Sequence, residues 1–309
     1  MNEFSLIETY FNWGSSSLAN LGIGDDCAVI NIDPNYQLVT SVDTLIEGVH
    51  FPLNTSASDI AYKSLAVNLS DLAAMGACAK YFTLALTLPN INKKWLSQFS
   101  TSLKSLSDEF GIILVGGDTT KGTLSITINV TGVVEKDKAL LRSSAQVGDL
   151  IFVSNTISDA AYAWKQLQNN QIPSEYAINH FNRPKPQLVL GRQLSTIANA
   201  CIDISDGLEQ DLTHILTCSN VGASINIDDI PLTNEVKTYI TKTNDWCLVL
   251  AGGDDYELCF TVPVKNMNLL KNLQSKNNVT VTQIGIINDS MILTKIGTFD
   301  KQCCFYQHF

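Results

Sequence analysis

The chain has 309 residues, of which 45% are hydrophobic and 16% are charged, and its formal net charge is −10. This length accommodates two domains of ordinary size, each with its own core, and the composition excludes intrinsic disorder. Only three arginines accompany this negative charge, and no basic stripe follows a predicted helix. The sequence therefore argues against nucleic-acid binding.

Neither membrane insertion nor a disulfide framework is expected from the sequence. No apolar run approaches the length of a membrane span, and the first residues, MNEFSLIETYF, lack the basic residues of a secretory signal. The eight cysteines contain no C-x-x-C pair, a pattern that favours reduced thiols over disulfides or a zinc site. These features predict a cytoplasmic protein.

The first half of the chain is predicted to alternate between helices and strands. Ser58 is expected to cap a long helix that Gly76 ends. In chain order, the predicted elements are a helix at about 3–12, strands at 27–32 and 36–42, a helix at about 57–75, a strand at 81–89, a helix at 93–110, and strands at 112–116 and 124–134.

A polar, turn-rich segment at 136–149 is predicted to separate two domains, at 1–138 and 148–309. The hydroxyl of Ser158 is expected to cap a helix that begins directly after this residue. Three prolines make the later segment 170–187 mostly a connection between elements. The other predicted elements are strands at 150–155, 201–205, 223–227, 255–263 and 279–287, and helices at 187–199, from 206–207 onward, at 233–243 and at 264–275. This alternation predicts an α/β or α+β fold in both halves.

Acidic residues recur beside Gly or Ser along the whole chain. The six motifs are GIGDD (22–26), SVDT (41–44), NLSD (68–71), GGDTT (116–120), DISDG (203–207) and GGDDYE (252–257). Each one alone is explained as an ordinary turn or helix cap. Together they favour Mg²⁺-assisted phosphate chemistry, because Mg²⁺ takes oxygen ligands and usually bridges to substrate phosphates.

The first-half motifs contain the candidate metal ligands. Alternation along the strand that ends in SVDT sends Ser41 and Asp43 to one face and Val42 to the other. Asp43 is thus a candidate Mg²⁺ ligand, with the Ser41 hydroxyl and the Val42 carbonyl as neutral donors. Asp71 lies among apolar residues of the long helix, where a buried acid needs a cation or a cleft.

Two glycine-rich motifs supplement this group. In GIGDD, the glycines permit a tight turn near a ligand, and Asp25 and Asp26 could share or divide a metal. In GGDTT, the glycines let backbone amides approach a phosphate, and Asp118 is placed to reach metal. A solvent-facing turn is the alternative for GIGDD.

The second half adds a further acidic motif and an arginine. Asp203 and Ser205 alternate on one face of a predicted strand, and Asp206 begins the next helix, where an Asp is also an ordinary cap. Arg142 lies just beyond the last strand of the first half; it is either a phosphate clamp or a surface charge.

The usual nucleotide and zinc motifs are absent from the sequence. There is no G-x-x-x-x-G-K-[ST], no G-x-G-x-x-G that opens a helix and no H-E-x-x-H, and the four histidines lack ligand spacing. A Walker-type NTPase, a Rossmann dehydrogenase and a zinc hydrolase therefore lose support.

Seven strings follow one another along the chain: GIGDDCA, SVDT (with His50 seven residues after its Asp), AVNLSDLAAMGA, GGDTT, LLRS, DISDGL and GGDDYEL. Together and in this order, they closely resemble the thiamine-monophosphate kinase family. This family belongs to the aminoimidazole-ribonucleotide-synthetase-like superfamily. The resemblance covers essentially the whole chain. It implies an N-terminal ATP-binding domain that dimerises through its sheet, a C-terminal α/β domain that completes the active site, and ATP-dependent phosphorylation of thiamine monophosphate.

The resemblance also implies roles for individual residues. Several Mg²⁺ ions would be bound by Asp26, Ser41, Val42 through its main chain, Asp43, Asp71, Asp118, Asp203 and Asp206. ATP would be contacted by Gly117, Asp118, Arg142 and Ser205, and the thiamine phosphate by His50. Asp43, Asp71 and Asp118 would form the centre of the mechanism.

Two positions depart from the family pattern. Asp254 stands where Glu is expected in the substrate segment, and Cys303 stands where an aromatic residue would stack on the thiamine ring. Alternatives to the kinase interpretation are another ATP-using enzyme of the superfamily and a non-catalytic Mg-nucleotide sensor. Selenophosphate synthetase is disfavoured because no cysteine precedes GIGDD.

Overall fold

The computed structural model describes residues 3–13, 32–277, 279–297 and 303. The chain forms two compact units: the first comprises residues up to Leu72 together with Ala77–Asp137, and the second comprises Ala73–Gly76 and the residues from Lys138 onward. The predicted strand at 27–32 lies outside the described residues. Among the described residues, no helix has both the length and the apolar character needed to cross a membrane.

In the part of the chain that the structure describes, the first unit is a four-stranded sheet with helices. Its elements are α1 (Glu3–Tyr10), β1 (Tyr36–Ile46), α2 (Ala57–Ala74), β2 (Cys78–Leu88), α3 (Lys93–Phe110), β3 (Ile113–Lys121) and β4 (Ser125–Glu135). The strand order is β1-β4-β2-β3, and only the β2–β3 pair is parallel. One face of the sheet is apolar and buried, with Leu84, Leu86, Ile126, Ile128 and Val130. The other face carries mainly threonines and Asn129, so the sheet has the two-sided pattern of an antiparallel layer.

Local capping signals explain where the helices of this unit begin and end. Asn92 caps α3 by accepting hydrogen bonds from the amides of Lys94 and Trp95, and Gly111 ends it in the left-handed conformation. The predicted cap of α2 was wrong: Ser56, rather than Ser58, accepts the Asp59 amide (3.1 Å). Ser56 begins the helix because its hydroxyl also donates to the Asp59 carboxylate, closing a reciprocal pair.

The second unit is a six-stranded mixed sheet with helices. Its elements are β5 (Leu150–Ser154), α4 (Asp159–Gln168), α5 (Glu175–Asn182), α6 (Leu188–Leu194), β6 (Ala200–Asp203), α7 (Leu208–Ser219), β7 (Gly222–Asn226), α8 (Asn234–Thr243), α9 (Cys247–Leu250), β8 (Leu258–Val262), α10 (Met267–Asn277), β9 (Val281–Asn288) and β10 (Leu293–Ile296). The strand order is β10-β7-β9-β5-β8-β6, with only β10–β7 parallel. The predicted α/β class is confirmed for both units.

The proline-containing segment 170–187 is mostly a connection, as predicted, but it also contains helix α5, because Ser174 caps this helix and the prolines lie outside it. Two expectations for the second unit were wrong. Residues 255–257 precede β8 instead of belonging to it. Ser158 is in the left-handed conformation and makes no side-chain cap; its backbone amide instead donates to the Asp255 carboxylate (2.7 Å).

Candidate active site

Four residues where β1 meets α2 form the core of the candidate site. The hydroxyl of Ser41 donates to the Asp71 carboxylate at 2.5 Å, and the amide of Asp43 donates to the side-chain oxygen of Asn68 at 3.1 Å. Asn68 is fully buried, and its own amide donates to the Ser64 carbonyl one helical turn earlier. The strand and the helix are therefore locked in register, with the two carboxylates side by side.

The electrostatics of these two carboxylates make them a candidate cation site. Burial, together with the nearby charge of Asp71, raises the pKa of Asp43 to about 6. Two acids held together this way are stabilised by a cation between them. Carboxylate and hydroxyl oxygens are also the donors that Mg²⁺ prefers, so the residues fit the predicted ion.

Asp118 does not join this pair within one chain. Gly117 and Asp118 lie inside β3, not in a turn after it, because the strand continues to Lys121. In the sheet register, Asp43 pairs with Ile128, Ile128 with Leu84, and Leu84 with Gly117. Asp118 thus lies on the third strand across the sheet from the strand of Asp43. At the usual separation of neighbouring strands, this is a distance of about 14 Å.

The two aspartates also occupy opposite faces of the sheet. Asp43 contacts α2 on the buried face, whereas Asp118 is exposed and pairs with Ala85, which is exposed on the open face. Val42 likewise presents its side chain to the open face, where it is 57% exposed.

His50 follows β1 and is held by a backbone contact. Its Nδ1 accepts a hydrogen bond from the Ile46 amide at 3.0 Å. Because Nδ1 accepts, the neutral ring carries its proton on Nε2. This tautomer suits a donor to an anionic phosphate.

The second unit gathers its candidate residues at the end of β6. Asp203 is the last residue of the strand and is buried, and Ser205 and Asp206 form the turn before α7. The Asp206 carboxylate accepts a hydrogen bond from the Gln210 amide at 3.0 Å. Arg142 begins a short 3₁₀ helix, and its carbonyl accepts a hydrogen bond from Ser219 of α7.

The segment 252–257 lies against this same turn. The amide of Asp254 donates to the Ser205 carbonyl (2.9 Å), and the amide of Tyr256 donates to the Ile204 carbonyl (2.8 Å). Asp254 and Tyr256 both have positive φ values, 68° and 52°, and the Tyr256 hydroxyl donates to the Asp254 carboxylate. Non-glycine residues in this region signal a backbone held by its surroundings.

Sequence reasoning assigned no role to several buried polar residues of the site regions. Glu257 accepts hydrogen bonds from Ser154, Asn155 and Gln187, and burial raises its pKa to about 8. Asn68 and Asp211 are the others. The signal available in the sequence was a polar residue inside an apolar run. Such a residue is expected to have a hydrogen-bond partner, but the sequence does not indicate which residue that partner is.

The expectation of reduced thiols was wrong for two cysteines. Cys303 is buried and forms a disulfide with Cys247, 56 residues away in sequence, with the two Cα atoms 5.3 Å apart. The sequence could not indicate this bond because the two cysteines meet only through tertiary structure. Contact of Cys303 with the thiamine stays a prediction, although a buried disulfide sulfur offers little surface for stacking.

Replacing Cys303 with Ser is expected to lower the free energy of unfolding of the oxidised protein by up to about 4 kcal/mol, because the bond restricts the unfolded chain. Urea denaturation without reductant measures this. Cys218→Ser is the matched control, since Cys218 is an exposed free thiol of the same unit. With reductant, Cys303→Ser should match the wild type; equal stability under oxidising conditions would contradict the expectation.

The remaining predicted ligand, Asp26, lies outside the described residues. Within residues 3–13, 32–277, 279–297 and 303, no group of three or more His, Cys, Asp or Glu side chains is arranged to hold a metal ion. The Asp43–Asp71 pair thus supplies two carboxylates, and further ligands have to come from elsewhere.

Comparisons with known proteins show which family the chain resembles over most of its length. The family described as AIR synthase related protein, N-terminal domain, matches residues 24–134. Thiamine-monophosphate kinase of Haemophilus influenzae is 44% identical over 308 residues, covering 98% of this chain and 92% of that protein. The crystal structure of thiamine-monophosphate kinase from Stenotrophomonas maltophilia superposes with a TM-score of 0.86 at 41% identity, covering 90% of this chain and 91% of the other. AaThiL complexed with AMPPCP and TMP gives a TM-score of 0.80 at 28% identity, covering 90% and 89%.

Proposed function

The chain belongs to the thiamine-monophosphate kinase family, and from this we propose that it transfers the γ-phosphoryl group of ATP to thiamine monophosphate, giving thiamine diphosphate and ADP. The observation that carries the proposal is the carboxylate pair Asp43 and Asp71, locked between β1 and α2 with the Ser41 hydroxyl. Phosphoryl transfer needs alignment and charge neutralisation rather than a covalent intermediate, and such a pair is suited to both.

Mg²⁺ is the proposed metal, and its chemistry when bound is to neutralise charge on the transferring phosphates. In the first unit, Asp43, Asp71, the Ser41 hydroxyl and the Val42 carbonyl are proposed to hold it, together with Asp26 and Asp118. In the second unit, Asp203 and Asp206 are proposed as further ligands. Asn68 keeps Asp43 in place through its hydrogen bond to the backbone.

Gly117, Asp118, Arg142 and Ser205 are proposed to contact ATP. His50 is proposed to donate from Nε2 to the phosphate of thiamine monophosphate, in agreement with its Nδ1 contact to Ile46. The acceptor oxygen needs no general base, because the second pKa of a phosphate monoester is about 6 and the group is largely ionised near neutral pH. Asp254 is proposed to face the cationic thiamine, and Cys303 to lie near it.

We further propose a homodimer formed through the first unit's sheet. Among the strands that the structure describes, β1 lies at the edge of the sheet and carries the exposed apolar side chains Leu38 (53%) and Val42 (57%), a surface that proteins usually cover. Because the sheet separates Asp118 from Asp43 within one chain, Asp118 of one subunit is proposed to act with Asp43 and Asp71 of the other. The site would then be incomplete in a monomer.

The function is tested by comparing phosphoryl acceptors. With MgATP, the purified protein is expected to form ADP in the presence of thiamine monophosphate and only slowly with thiamine or without an acceptor. A coupled assay for ADP measures this. ADP formation that does not depend on thiamine monophosphate would contradict the proposal.

Binding of Mg²⁺ without nucleotide is expected to weaken as the pH falls below about 6. The raised pKa of Asp43 means that its carboxyl is mostly protonated below that pH, and a proton competes with the metal. Each further pH unit should lower the apparent affinity about tenfold, whereas the affinity should level off above pH 6. Isothermal titration calorimetry across this range measures the effect.

Asp43→Asn should remove this pH dependence along with most of the affinity. Asp108→Asn, an exposed carboxylate on α3, should leave both unchanged. An affinity that stays constant from pH 5 to pH 7 would show that Asp43 does not bind the ion.

A further inference from the structure

One buried carboxylate, Asp211, accepts hydrogen bonds from three consecutive backbone amides of the turn between β6 and α7. The amides of Ser205, Asp206 and Gly207 donate to the same oxygen, Oδ2, at 3.0, 3.1 and 3.1 Å. Asp211 lies in the first turn of α7 and is 2% exposed. Three amides that converge in this way form a nest of the kind that binds anions, and here a carboxyl group of the chain itself occupies it.

The occupied nest limits what the turn can offer to a ligand. Its amides are already used by Asp211, so they are not available to a phosphate. Ser205 and Asp206 are left with their side chains, the hydroxyl and the carboxylate. The direction of those side chains depends on the conformation of the turn, which Asp211 fixes.

The same turn is joined to the segment that carries Asp254. Besides the bonds from the Asp254 and Tyr256 amides, the Ile204 amide donates to the Glu257 carbonyl at 2.7 Å. A Cβ on Gly207 would lie 2.8 Å from the Ala251 backbone, and one on Gly253 would overlap the Ser205 carbonyl oxygen. The two backbones are therefore in direct contact, and a shift of the turn has to move the segment.

We propose that Asp211 is a positioning residue that holds the turn 205–207 and the segment 252–257 as one rigid piece, and so sets the geometry toward both nucleotide and thiamine monophosphate. This inference rests on the proposed function for the identity of the two ligands. Asp211 touches neither ligand; it acts through the turn. Loss of its carboxylate should therefore weaken both ligands together.

The test compares Asp211→Ala with Asp149→Ala. Asp149 is an equally buried carboxylate of the same unit that accepts hydrogen bonds from Gln146, Asn199 and Thr261, away from the turn. Calorimetric titrations with MgAMPPCP and, separately, with thiamine monophosphate are expected to show about tenfold weaker binding of each to Asp211→Ala, the size of effect that follows loss of charged hydrogen bonds. Asp149→Ala should lose comparable thermal stability but keep both affinities.

Folded Asp211→Ala with wild-type affinity for either ligand would overturn the proposal. If Asp211→Ala does not fold, Asp211→Asn, which keeps an acceptor but not the charge, is used, and the amides of Ser205 and Gly207 should exchange about tenfold faster with solvent than in the wild type. Unchanged exchange would also overturn it. A wild-type protein that binds no thiamine monophosphate would refute the proposed function, whereas the exchange rates would still test Asp211.

Discussion

Asp71→Asn is expected to lower kcat about a thousandfold, the size of effect seen when a single charge-stabilising group is lost from an active site. The substitution removes the negative charge beside Asp43 but keeps nearly the same volume on α2. The Ser41 hydroxyl can still donate to the remaining oxygen, so the contact between β1 and α2 survives. Steady-state turnover with saturating MgATP and thiamine monophosphate measures the loss.

Two controls separate chemistry from folding in this experiment. The thermal unfolding midpoint of Asp71→Asn should stay close to that of the wild type, and Asp108→Asn should turn over normally because its carboxylate is exposed and pairs with Lys104. The pKa of Asp43 should also fall in Asp71→Asn, since the Asp71 charge helps to raise it. Retained turnover would show that Asp71 is an ordinary residue of the helix surface.

The second large effect is recovery of activity in a mixture of two inactive variants. Asp43→Asn and Asp118→Asn should each be inactive alone. In a heterodimer with shared sites, one site carries both substitutions and the other carries neither. Co-expression in equal amounts, with random pairing in a twofold dimer, should thus restore about a quarter of wild-type activity.

This recovery depends on the sheet register, which places Asp118 three strands from Asp43 on the opposite face. If both aspartates acted within one chain, every site in the mixture would contain one substitution and activity would not recover. The matched control is a mixture of Asp43→Asn with Asp71→Asn, two residues of the same cluster, which should stay inactive.

Elements fixed by local signals were well predicted from the sequence. The predicted helix at 93–110 has the same bounds as α3, because its cap Asn92 and its terminal Gly111 are adjacent to it in the chain. The face shared by Ser41 and Asp43 also follows from alternation, and the hydrogen bonds to α2 agree with it. Periodicity and capping act over a few residues, so one sequence is sufficient to read them.

Features that depend on tertiary pairing were not predictable. The strand was predicted to end at 116, but pairing with β2 extends β3 through Asp118. The pairing order of the strands, which separates Asp118 from Asp43, has no local signature. The bond between Cys247 and Cys303 and the three amides around Asp211 likewise join residues whose proximity depends on the folded chain.

The most direct test of the proposed function is identification of the product by ³¹P NMR after incubation with MgATP and thiamine monophosphate. The account predicts loss of the monophosphate signal, the appearance of the two coupled signals of thiamine diphosphate, and an equal amount of ADP. ADP with inorganic phosphate and unchanged thiamine monophosphate would contradict it, as would binding of MgATP without any turnover.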